Sequence, residues 1–165
     1  MKVVFPRLYA IIDADLLRRG RREASRAREE VAVAVALAES GIELIQYRDK
    51  TASPRELFSS ARELADALRP AGVRFIVNDR ADVAATARAG GVHVGQQDLP
   101  PRDARAMCPP PMWVGVSTHT LEQVEAVAQS SADYIVVGRP VVAAADPKAA
   151  VRQMHEDIAV QVVTL

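Results

Sequence analysis

Short apolar runs alternate with longer amphipathic stretches along the chain, and this alternation predicts strands separated by helices. The runs Leu8–Ile12, Ile42–Tyr47, Phe75–Val77, Val92–Gly95, Trp113–Ser117 and Tyr134–Val137 read as buried strands. Between them the apolar period changes to that of a helix. Ser53-Pro54-Arg55-Glu56 is a capping box with proline at the first helical position, and Leu57, Ala61, Leu64 and Leu68 follow on one face until Pro70-Ala71-Gly72 stops the helix. Thr120 and Gln123 repeat the cap ahead of a stripe of Val124, Val127 and Ala128. Asp146-Pro147 opens a last helix carrying Val151, Met154 and Ile158. The arginine-rich run from Arg18 to Glu30 is interleaved with Glu23, Glu29 and Glu30 and leads into Val31, Ala34, Val35 and Ala38. It reads as a solvated helix face rather than a polyanion site.

Continuous apolar strands without clean alternation, separated by helices, predict an α/β fold with a parallel sheet covered on its outer faces. An eight-fold barrel and an open doubly wound sheet both satisfy that pattern. The chain has 165 residues, whereas a full (β/α)8 barrel takes roughly 200 or more, so a complete barrel is disfavoured. No linker or low-complexity tract divides residues 1–165, which read as a single domain.

Composition narrows the function classes. Lys and Arg number 21 and Asp and Glu number 21, so no whole-chain field draws nucleic acid or an anionic membrane. No uncharged apolar run reaches spanning length, and the N-terminus lacks a secretion-type apolar core. The only cysteine, Cys108, excludes an internal disulfide and multi-cysteine zinc sites and suits a cytoplasmic, reducing setting.

Polar residues gather where four strands end. The second runs into Gln46, Arg48 and Lys50, the third into Asn78 and Asp79, the fourth into Gln96, Gln97 and Asp98, and the fifth into Ser117 and His119. Parallel α/β sheets place ligands at such ends. Two cations, two carboxylates and several neutral donors on one rim suit a phosphorylated small molecule, with a divalent ion bridging it to the acids. Neither a dinucleotide-binding glycine fingerprint nor a P-loop is present. Ser117 and His119 do not form a nucleophile elbow, His93 reads as a structural residue within its strand, and Cys108 reads as inert.

At these residues the sequence resembles the thiamine phosphate synthase family. Gln46-Tyr47-Arg48-Asp49-Lys50, Asn78-Asp79-Arg80, Gly91 to Asp98 and Gly115-Val116-Ser117-Thr118-His119 match that family's motifs in order and spacing. The resemblance implies a TIM-barrel-like parallel β/α fold, here shortened to about six β/α units. It implies a transferase of thiamine biosynthesis that joins hydroxymethylpyrimidine pyrophosphate to a thiazole phosphate and releases pyrophosphate. It gives catalytic contacts to Arg48, Lys50 and Ser117, further substrate contacts to Gln46, Asn78 and Gly138, and Mg2+ to Asp79 and Asp98. A close relative, the thiazole tautomerase, lacks the full pyrophosphate set, so Gln46, Lys50 and Asp98 favour the synthase.

The resemblance changes after Gly138. Arg139-Pro140-Val141-Val142 stands where the family has a phosphate loop of threonines and lysine, and no later glycine pair follows. Lys148, at the second position of the last helix, does not replace the loop lysine. An internal deletion joining the sixth strand to the end of the eighth accounts for this, and it implies loss of the acceptor half of the site. A non-catalytic anion- or ligand-binding homologue is therefore one alternative function, and a thiazole tautomerase-like protein is the other. The opened barrel has three outcomes: closure on six strands, pairing of edges between copies as a homo-oligomer, or poor folding. Val160 to Leu165 reads as a tail or an extra edge strand.

Overall fold

The order of strands along the sheet separates the two architectures that the sequence left open. In a computed structural model, which describes residues 5–18, 26–138, 145–149 and 151–152, six parallel strands pair strictly in chain order. They are β1 Ala10–Asp13, β2 Leu44–Arg48, β3 Arg74–Asn78, β4 Gly91–Val94, β5 Trp113–Thr118 and β6 Tyr134–Val137. A doubly wound sheet reverses its strand order partway; this sheet does not. It curls instead into part of a barrel, and β1 and β6 are its two unpaired edges among the described residues.

The helices are α1 Ala14–Arg18, α2 Arg26–Glu39, α3 Pro54–Leu68, α4 Ala81–Thr86, α5 Pro101–Met107 and α6 Leu121–Ala128. Helix α3 shows how local sequence sets an element. The Glu56 N–H donates to Ser53 Oγ at 3.3 Å, and the Ser53 N–H donates to the Glu56 carboxylate at 2.8 Å. Leu57, Ala61, Leu64 and Leu68 are all buried. A 3-10 turn over Arg69–Ala71 then ends at Gly72, whose φ of +70° glycine alone adopts without strain. Thr120 caps α6 by accepting the Gln123 N–H at 3.2 Å, and Val124 and Val127 are buried beneath it.

Alternation along each strand sorts its side chains between two faces. On β2, Ile45 and Tyr47 face the helices, where the Tyr47 hydroxyl donates to Glu30 of α2 at 3.0 Å. Gln46 and Arg48 face the concave side. There Tyr9, just ahead of β1, and Gln46, His93, Ser117 and Tyr134 from four strands reach one another. The Tyr9 and Tyr134 hydroxyls lie 3.1 Å apart although the residues are 125 positions apart in sequence. Phe5 packs against Trp113 and Tyr134 with ring centroids 6.0 and 5.2 Å apart. The first and last strands are thus linked by aromatic contacts rather than a backbone ladder.

Tyr134 needs a gap to enter this layer, and Gly115 supplies it: a Cβ on Gly115 would stand 2.0 Å from the Tyr134 ring.

One sequence reading changes, and others lie outside the described residues. The run from Arg18 to Glu30 is not wholly a solvated face, because Glu30 is buried and Arg18 forms an ion pair with the buried carboxylate of Asp49. Residues 19–25 lie outside the described residues. Asp146 caps the helical segment that begins at 147, accepting the Ala149 N–H at 2.9 Å, and Val151 on it is exposed. The proposed junction after Gly138, Met154, Ile158 and Val160 to Leu165 also fall outside the described residues.

Candidate functional site

The carboxyl ends of β2 to β5 enclose a cavity of about 670 Å³. Its walls include Arg48, Lys50, Asn78, Asp79, Asp98, Ser117 and His119. The polar residues expected at four separate strand ends therefore share one space. Gln46 and Gly138 do not line it. The Gln46 amide donates to the Tyr9 hydroxyl one layer deeper, and Gly138 is exposed at the end of β6.

Asp79 occupies the centre through an unusual backbone. Its φ is +62°, in the left-handed region, where aspartate and asparagine are the commonest residues after glycine. The Asp79 N–H donates to the His93 carbonyl at 2.7 Å, and the Arg80 N–H donates to the Asn78 carbonyl at 2.8 Å, so the chain turns sharply as β3 ends. This brings the Asp79 carboxylate onto the Lys50 ammonium. Burial pushes the Asp79 carboxyl above the usual range, the neighbouring Asp98 pushes it further, and Lys50 opposes both. Asp98 is itself fixed, accepting the Gly95 N–H at 2.8 Å.

Arg48 is held by Asp13 at 2.5 Å, across a register that pairs these residues directly. Asp13 also accepts the N–H groups of Asp15 and Leu16 at 3.0 and 3.2 Å, which starts α1. The sequence reading missed this carboxylate, yet its signal was present, since Asp13 directly follows the first apolar run as Asn78-Asp79 follows the third. Below the rim, Asp49 organises the loop that carries Lys50. It accepts the Thr51 and Ala52 N–H groups at 3.0 and 2.9 Å as well as the Arg18 guanidinium. Burial raises the Asp49 carboxyl, but Arg18 and the two N–H groups outweigh that and hold it below the usual range.

Ser117 pairs with His93 rather than His119, with 2.8 Å between Oγ and Nε2. The other ring nitrogen of His93 meets the Tyr134 hydroxyl at 3.2 Å. Burial pushes the His93 imidazole down to about 4, so it is neutral near pH 7. Set between two hydroxyls, a neutral ring fixes the Ser117 hydroxyl without supplying charge. His93 is therefore more than a packed strand residue: it positions a rim group.

Two close carboxylates, one with raised proton affinity, form a donor pair that a divalent cation would relieve. Among the described residues no group of three or more His, Cys, Asp or Glu forms an all-protein metal cage. Magnesium needs no such cage, because it binds through one or two carboxylates plus phosphate oxygens. The residues present fit that ion.

Comparison with known proteins gives a concordant picture. Thiamine-phosphate synthase from Koribacter versatilis is 45% identical over 133 residues, spanning 81% of this chain and 61% of the relative. The enzyme of that name from Chloroflexus aurantiacus is 43% identical over 132 residues, 80% of this chain and 57% of its own. The chain thus spans about three fifths of the length of these relatives. Among solved structures, thiamine phosphate pyrophosphorylase from Pyrococcus furiosus shares the fold with a TM-score of 0.57 at 22% identity, covering 92% of this chain and 94% of that one. The thiamine monophosphate synthase family model matches residues 8–159, which is nearly the whole sequence with its strand-end motifs, and the chain belongs to that family.

Proposed function

We propose that the chain works as a thiamine phosphate synthase-type transferase, binding hydroxymethylpyrimidine pyrophosphate at the rim, breaking its bond to pyrophosphate, which is released, and joining the pyrimidine methylene carbon to the ring nitrogen of a thiazole phosphate. The observation that carries this reading is the convergence of Lys50, Asp79 and Asp98 with Arg48 and Ser117 around one cavity. Loss of a pyrophosphate leaving group asks the protein for charge stabilisation more than for proton transfer.

Asp79 and Asp98 would hold Mg2+. When bound there, the ion supplies positive charge against the leaving oxygens. Lys50 already lies against Asp79, so an arriving pyrophosphate offers it a second anionic partner on the same rim. Arg48, anchored by Asp13, presents its remaining N–H groups to phosphate oxygens, and the Ser117 hydroxyl adds a neutral contact fixed by His93. Asn78, which lines the cavity beside Asp79, would orient the pyrimidine. Gln46 sits deeper, against Tyr9, and would act on a pyrimidine ring that reaches that layer. Gly138 would border the acceptor side.

The test is pyrophosphate release from the purified chain with magnesium and both substrates, alongside Asp79→Asn and Asp98→Asn. Asparagine tolerates the left-handed backbone at position 79, so the first variant removes charge without a conformational penalty. Turnover that falls about 100-fold or more in either variant supports the transferase reading. Binding of the pyrimidine pyrophosphate by a folded chain without product would replace it with a non-catalytic anion-binding homologue.

A further inference from the structure

We infer that the amino ends of β3 to β5, at the opposite end of the strands from the rim, carry a second anion site that takes a small phosphate-bearing ligand. A cavity of about 570 Å³ opens there, within the range of small-ligand sites. Arg69, Arg74 and Arg88 line it, with Glu43 as the one carboxylate of the lining. Arg69 is balanced by Asp66, so Arg74 and Arg88 stand against Glu43 and leave a net positive charge on the lining.

The arginines are placed in different ways. Arg74 lies over the Trp113 ring at 4.0 Å, and its Nη1 donates to the carbonyls of Pro111 at 3.1 Å and Gly90 at 3.4 Å. These contacts fix the plane of the fork, yet Arg74 has no carboxylate ion pair among the described residues. Burial lowers its proton affinity, with Asp133 offsetting part of that effect. Arg69 is held by Asp66 at 2.8 Å.

Arg88 carries the strongest signal. It directly follows the residue that ends α4, with φ of +58°, where glycine would be unstrained. Its side chain makes no hydrogen bond or ion pair among the described residues. The left-handed turn closes α4, with the Ala89 N–H donating to the Ala84 carbonyl at 2.9 Å and the Arg88 N–H to the Ala85 carbonyl at 3.2 Å, and it leaves the exposed guanidinium at the cavity wall open to a ligand.

Guanidinium forks match phosphate oxygens in pairs. Arg74 lies over the Trp113 ring at 4.0 Å and Phe5 stacks beside it at 6.0 Å. The charged forks, rather than the indole, are the groups open to a ligand.

Trp113 is the only tryptophan in the chain, so its fluorescence reports on this cavity directly. The full chain, in EDTA and low salt, is titrated with inorganic pyrophosphate and, separately, with ADP. The expected result is a saturable change with half-saturation below about 1 mM. It should weaken at least about tenfold in Arg88→Gly, the loss of one charge-assisted phosphate contact, and persist in Lys50→Ala. Arg88→Gly relieves the left-handed backbone, so weakened binding cannot be attributed to misfolding. A response confined to pyrophosphate assigns free polyphosphate as the ligand, and a tighter response to ADP assigns a nucleotide. Absence of a saturable change, its survival in Arg88→Gly, or its loss in Lys50→Ala would overturn the inference. None of these readouts depends on transferase activity, so the two proposals can fail separately.

Discussion

At the carboxyl ends of the strands, Lys50, Asp79 and Asp98 meet as charges around open space, and their partners are exchangeable for a ligand. One layer deeper, Tyr9, Gln46, His93 and Tyr134 satisfy one another in a buried or half-buried network, with Gly115 making room. The same strands supply both sets, one alternation step apart. The upper layer is arranged for something to arrive, whereas the lower one is complete without a ligand. Substitutions above should therefore cost turnover, and substitutions below should cost stability.

The largest expected effect is on the upper layer. Lys50→Ala should lower pyrophosphate release by about 100-fold or more, while urea denaturation midpoints move by less than about 1 kcal/mol equivalent, since Lys50 is 47% exposed. A variant that unfolds instead would erase the distinction between layers. Next, Gly115→Ala should destabilise by about 3 kcal/mol, because the new methyl overlaps a Tyr134 ring wedged between Phe5 and His93. Denaturant unfolding with an unchanged slope would check it, and a near-neutral result would show that Tyr134 can move aside.

The smallest effect is in pH. His93 has a folded value of about 4 against an ordinary 6.5, so the unfolded chain binds the proton more readily between those limits. Its stabilising contribution is complete above pH 6.5 and is lost as pH falls towards 4. Unfolding measured across that window should slope in the intact chain and flatten in His93→Gln. Equal slopes would remove His93 as the pH-sensitive member of the lower layer.

Much of this arrangement was legible in the sequence. Tyr134–Val137 matches β6 at both ends, and the expected strand Phe75–Val77 differs from β3 only by the flanking Arg74 and Asn78. The reason is physical: a parallel strand covered on both faces, as the middle of β3 is, needs an unbroken apolar run, and the edge strand β6 keeps such a run although only Tyr134 is fully buried. Helix α3 was legible because its capping chemistry is local. Helices α1, α4 and α5 are five to seven residues long, too short for a 3.6-residue period to emerge.

The rim was legible as a set of strand ends but not as pairs. Nothing local says that Arg48 meets Asp13 or that Ser117 meets His93, because those pairings depend on strand register. Glu30 was misread because one buried carboxylate within a charged run looks like its solvated neighbours. Its burial becomes evident only when Tyr47 is placed opposite it.

The sheet order bears on how the chain reaches this state. Each strand pairs with the next one in sequence, so the ladder can grow unit by unit through short loop closures. The bond between Tyr9 and Tyr134 is different, since it spans 125 positions and becomes available only after β6 is in place. A contact that forms only then has its expected signature in the unfolding rate. Weakening it with Tyr134→Phe should speed unfolding while leaving the folding rate nearly unchanged, so the aromatic seam sets the lifetime of the native state rather than the pace of its formation.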